Sequence, residues 1–102
     1  MTAEFVRDRI TQLRLQKGVS EYKMSYDLGH SRGYINNISS GKSLPSMTEF
    51  LAICAYFDIT PQQFFDDSLP NPSITQKVLS GIKTLNESDQ ELILTMIQRL
   101  KN

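Results

Sequence analysis

The chain is expected to be all-α, and three observations lead there. Apolar residues recur three and four positions apart along most of its length. Ser or Thr is followed three residues later by Glu or Gln at several points, the spacing of a capping box. No segment alternates apolar and polar residues at period two, so no sheet is expected. A length of 102 residues, 39% of them hydrophobic, suits one small domain with at most an appended arm, because two independent domains would each have a thin core.

The elements follow in order. Phe5, Val6, Ile10, Leu13 and, less regularly, Leu15 outline a first helix that Gly18 can close. Ser20 caps a second, holding Met24 and Leu28 inward, with Gly29 just past its end. Ser31 is expected to cap a third, with Ile35 and Ile38 inward and Gly41 closing it. Ser46-Met47-Thr48-Glu49 opens a fourth, with Met47, Phe50, Leu51, Cys54 and Phe57 on its core face. Thr60-Pro61-Gln62-Gln63 opens a short fifth helix ending in Phe64-Phe65. Residues 68–73, with Pro70 and Pro72, read as a linker between a domain over 1–67 and a two-helix arm over 74–102. In the arm, Ile74, Val78, Ile82 and Leu85 mark one helix, and Ser88-Asp89-Gln90-Glu91 starts another carrying Leu92, Ile93, Met96, Ile97 and Leu100 on one stripe.

Composition removes several function classes. The longest apolar runs fall far short of a membrane span, and the first residues lack the basic and apolar regions of a signal peptide, so a cytoplasmic protein is expected. One Cys and one His cannot assemble the usual metal site, and no metal or cofactor is expected. Cys54 reads as a buried core thiol. Gly41-Lys42-Ser43 is not a phosphate-binding loop, because Asn36 stands where the motif needs Gly and no strand precedes it. No nucleophile, carboxylate pair or cofactor loop supports an enzyme.

Eleven basic and eleven acidic residues give zero formal net charge, and the distribution is more informative than the sum. From Leu28 to Thr48 there is no acid at all, while His30, Arg32 and Lys42 lie within that stretch. It contains the third helix, joined to the second by a turn at Gly29, which is a helix-turn-helix arrangement. With Ile35 and Ile38 inward, Arg32, Gly33, Asn36 and Asn37 face outward. Arg suits guanine O6/N7 and Asn suits adenine N6/N7. Lys42 and the Ser20 and Ser31 caps suit phosphates, with Lys23, Tyr34 and Ser43 beside them. Tyr34 either stacks on a sugar or packs against the second helix.

Residues 6–65 resemble the phage-repressor/Cro-type, xenobiotic-response-element helix-turn-helix family. The resemblance is carried by Arg9-Ile10-Thr11-Gln12-Leu13-Arg14, Lys17-Gly18-Val19-Ser20, Asp27 through Ile35, Ile38, Gly41-Lys42, Pro45-Ser46 and Phe57 through Phe65. It implies a five-helix lambda-repressor-like domain that binds double-stranded DNA, usually as a dimer on a two-fold operator. It also implies that Arg32, Gly33 and Asn37 occupy base-reading positions and Lys42 a phosphate-contacting one. The chain departs from the pattern at Glu21, where a phosphate-contacting Gln is common, and at Ser39, where a Glu commonly pairs with the residue matching Arg14. Arg14 is therefore expected to take another partner, Asp58 for example, or to reach toward DNA. Gly33 lacks a side chain and costs roughly 1 kcal/mol within a helix.

These readings lead to a sequence-specific transcriptional regulator, a repressor, dimerising through Leu92, Ile93, Met96, Ile97 and Leu100. The alternative for that stripe is to fold back on its own domain. The alternative for the whole chain is an antitoxin-like module whose partner is another protein.

Overall fold

The computed structural model describes residues 1–101; Asn102, the last residue of the expected arm, lies outside the described residues. Seven helices follow one another: α1 (Ala3–Lys17), α2 (Glu21–Asp27), α3 (Tyr34–Ser39), α4 (Met47–Tyr56), α5 (Pro61–Phe65), α6 (Pro72–Lys83) and α7 (Glu87–Leu100). No described residue lies in a strand. The punctuation works largely as its chemistry requires. Ser20 Oγ accepts from the Lys23 N–H, and full capping boxes form at Ser46/Glu49 and Thr60/Gln63.

The core lies where α1 to α5 meet. Ile10 and Leu13 from α1, Met24 from α2, Ile35 and Ile38 from α3, and Phe50, Ile53 and Cys54 from α4 are buried together with Phe57, Ile59 and Phe64. Burying each large apolar side chain of this kind contributes roughly 1.5–3 kcal/mol. Phe50 meets Phe64 edge to face, with ring centroids 4.9 Å apart. Burial raises the Cys54 thiol to about 11, so it remains a neutral packing group at neutral pH.

Four local expectations need correction. The inward stripe of α4 is Phe50, Ile53, Cys54 and Phe57, and Met47 and Leu51 are exposed; the helix turns a different arc toward the core. Leu15 is exposed as well. The last helix is capped by Asn86, whose side chain accepts from the Asp89 N–H, and Ser88 already lies inside it. Asn71 caps α6, which begins at Pro72, two residues before Ile74; proline fits there because the first helical N–H needs no partner.

Arg9 is the least expected core residue, at 4% exposure. Its Nε donates to the Phe64 carbonyl at 2.8 Å, and Nη2 donates to the carbonyls of Gln63, Asp66 and Leu69. Nη1 reaches Gln12 Oε1 at 2.7 Å. The guanidinium thus satisfies the orphan carbonyls at the C-terminal end of α5, where a cation also meets the negative end of the helix. It simultaneously anchors the chain leaving that helix.

The segment from Asp66 to Ser73 lies against α1 to α5. The Gln16 side-chain amide donates to the Pro70 carbonyl, Pro72 is buried, and Ser73 Oγ donates to the Phe57 carbonyl at 2.8 Å. Gln63 Nε2 donates to Gln76 Oε1 at 2.8 Å, tying α6 to α5. Farther out, Gln90 Nε2 joins α7 to the carbonyls of Ile82 and Leu85. No residue of α7 is buried, and the molecule measures 49 × 25 × 23 Å.

Candidate nucleic-acid interface

The turn between α2 and α3 begins at Gly29, whose φ of 76° is a left-handed conformation that glycine adopts without a Cβ clash. The following N–H, from His30, closes back on the Ser25 carbonyl. The expected Ser31 cap does not form. Helix α3 starts at Tyr34 behind Gly33 and has no side-chain cap of its own, while the Ser31 carbonyl accepts the Tyr34 N–H. An orphan N–H at the start of α3 is instead satisfied from α2. Ser25, completely buried, accepts the Ile35 N–H through Oγ at 3.0 Å and donates to the Glu21 carbonyl at 2.8 Å. At the other end, Arg7 of α1 donates to the carbonyls of Ile38 and Gly41. A six-residue helix with weak local signals is held by side chains from two neighbours.

Glu21 forms a second clamp. Its carboxylate accepts from Asn36 Nδ2 at 3.2 Å and from Ser39 Oγ at 2.5 Å. The Ser39 hydroxyl is the main reason this carboxyl titrates below its ordinary value; Asn36 and the positive charge of Arg14 act in the same direction, against partial burial. Arg14 itself donates to the Val19 carbonyl at 2.8 Å, so the expectation of Asp58 as its partner is corrected. The acid absent from position 39 is supplied from position 21, at the start of α2.

Around the turn, the His30 and Tyr34 rings stack at 3.8 Å between centroids and 9° between planes. His30 Nε2 is 3.6 Å from a Glu49 carboxylate oxygen. The Tyr34 hydroxyl is buried without a well-formed hydrogen bond, and burial, reinforced by neighbouring Glu49, pushes its ionisation upward. That oxygen is turned into the protein. Arg32 lies with Cζ 5.7 Å from the centroid of the Tyr22 ring.

Arg32, Gly33, Asn36, Asn37, Lys42 and Ser43 are all exposed along and beyond α3. The Asn37 carbonyl accepts the N–H groups of both Lys42 and Ser43, so the backbone ties these three together. Gly33 precedes the helix, with φ of −92°, so the cost of glycine inside a helix does not apply to it. Lys23 is paired with Asp27 at 2.7 Å, and Asp27 also accepts from the Tyr56 hydroxyl at 2.7 Å. Ser20 and Ser31 are exposed at the ends of the turn-bearing pair. Leu92, Ile93, Met96, Ile97 and Leu100 lie on α7, away from these residues in the chain. Sequence reasoning missed Ser25, Arg7 and Tyr22. Ser25 had one available signal: a polar residue next to Met24 on the inward side of α2 needs a partner there.

Two short helices, packed through a glycine turn and presenting the second helix outward, define a helix-turn-helix DNA-binding domain. The chain belongs to the helix-turn-helix domain family of the xenobiotic-response-element type, whose model matches residues 8–68, more than half of its length. Among curated proteins and solved structures, none matches it.

Proposed function

We propose that the chain is a sequence-specific, double-stranded-DNA-binding transcriptional regulator that acts in the cytoplasm as a dimeric repressor. One observation carries the reading. On α3 and just before and after it, the side chains of Asn37, Arg32 and Lys42 are exposed and make no hydrogen bond or ion pair with other described residues. Arg32 and Asn37 offer the donors and acceptors that discriminate base edges in the major groove, and Lys42 offers charge to a phosphate. Asn36, with its amide engaged by Glu21, sits at the margin of that surface, and Ser20, Ser31 and Ser43 supply hydroxyls along it.

Dimerisation is supported by α7, which exposes Leu92, Met96, Ile97 and Leu100, with Ile93 half-buried between them. A second copy would cover that stripe and set two recognition helices about 34–36 Å apart, in successive major grooves of a pseudo-palindrome. Repression then follows by occlusion of the promoter.

The test is selection from a random duplex pool at near-physiological salt, followed by sequencing of what the protein retains. A two-fold motif with half-sites one helical turn apart is expected. A flat pool from folded protein would overturn the DNA reading and favour a module that binds another protein.

A further inference from the structure

Arg32 is the one cation at the start of α3, yet no carboxylate pairs with it among the described residues. It lies instead near the aromatic ring of Tyr22, with Cζ 5.7 Å from the ring centroid, within the range of a cation–π contact. Tyr22 is a large aromatic left 55% exposed on the second residue of α2, where solvent gives it no apolar partner. Tyr22, Arg32, Tyr26 and His30 together line a small surface cleft.

We propose that Tyr22 is a positioning residue that prepares Arg32 for base reading, an inference that rests on the DNA-binding reading above. The chemistry differs from that of an ion pair in a useful way. Attraction to the ring electrons uses up no N–H donor of the fork, so the contact leaves the edge that recognises guanine available. A carboxylate would occupy that edge and put negative charge beside the phosphates. An exposed arginine otherwise loses much of its rotamer freedom on binding, and a ring that restricts it beforehand lowers that cost.

The test uses the full chain, with Tyr22→Phe, Tyr22→Leu, Arg32→Ala and the Tyr22→Leu/Arg32→Ala pair, titrated against the selected duplex and a scrambled one. Exposure of Tyr22 means that all are expected to fold, which circular dichroism checks. Tyr22→Phe should bind as the native chain does. Tyr22→Leu should weaken the selected duplex about two- to five-fold while barely changing the scrambled one. In the Arg32→Ala background, the same change should have no further effect. In the free protein, the Arg32 side-chain protons should show ring-current upfield shifts that Tyr22→Leu removes. Equal losses for Tyr22→Phe and Tyr22→Leu, or additive losses in the double variant, would overturn the inference while leaving DNA binding intact. A native chain that retains no duplex overturns the DNA reading and the base-reading role together, and the proton shifts then report only whether the stack exists.

Discussion

At the residue scale, the interface divides into side chains that are free and side chains already committed. Asn37 and Lys42 have no side-chain partner among the described residues. Asn37→Ala should cost about 1–3 kcal/mol on the selected duplex and relax preference at one base position, measured by binding to a panel of single-base variants. Lys42→Ala should weaken every duplex alike and flatten the log–log salt dependence by about one per protomer. Equal losses of Asn37→Ala on selected and scrambled DNA would remove it from the base-reading set. Glu21 is committed, and its titration makes a directional prediction. Because its folded-state value is depressed, its stabilisation is complete above the unfolded value near 4.3 and is lost as pH falls through the folded value. Glu21→Gln should therefore lower stability by about 1 kcal/mol at neutral pH, the solvent-facing site discounting its charged hydrogen bonds. The gap from the native chain should narrow as pH falls through the depressed folded value, read by thermal unfolding across acid buffers.

The outward residues of α3 were legible because Ile35 and Ile38 establish its phase by themselves. The partner of Glu21 was not. Its position was read only as a departure from a phosphate-contacting Gln, whereas the contact to Ser39 spans 18 residues and depends on the angle between two helices.

At the scale of elements, the two full capping boxes were readable, whereas the lone Asn caps at Asn71 and Asn86 and the caps delivered from another helix were not. Ser46 and Thr60 open those boxes. Ser25, Arg7 and Arg9 are delivered from another helix; only Ser25 left a sign, as a polar residue beside Met24, and that sign did not name its partner. Ser25→Ala should strand the buried Ile35 N–H and destabilise the domain by about 1–3 kcal/mol. Hydrogen exchange at Ile35 should accelerate more than at Leu13, the comparison that separates local loss at α3 from general weakening. Arg9→Met keeps the length of the stem but leaves four carbonyls without their donor. A loss of about 3–5 kcal/mol is expected, and denaturant midpoints measure it. An unchanged midpoint would mean that water replaces the guanidinium without cost.

Across the whole molecule, the apolar residues divide into a closed set on α1 to α5 and an open set on α7. The closed set accounts for the fold. The open set is what a second copy would cover under the proposed dimer. Ile97→Glu tests this without disturbing the core, because Ile97 is exposed. Sedimentation should shift from dimer to monomer, and affinity for a two-fold site should fall toward that for a single half-site. Retention of the dimer would exclude this face. Pro70 and Pro72 led to the expectation of a linker, but their spacing did not disclose how closely that segment would be fastened.

That fastening has a consequence for DNA geometry. With Arg9 gripping Asp66 and Leu69, Pro72 buried and Gln76 bonded to Gln63, α6 leaves the domain at a set bearing instead of through a swivel. Each base pair inserted between half-sites carries the second one about 3.4 Å along the duplex and roughly 35° around its circumference. A protein hinged at its waist would follow such a displacement. Under the proposed pairing through α7, this one should behave as a caliper with a locked screw, tolerating altered bases inside a half-site far better than an altered distance between two of them.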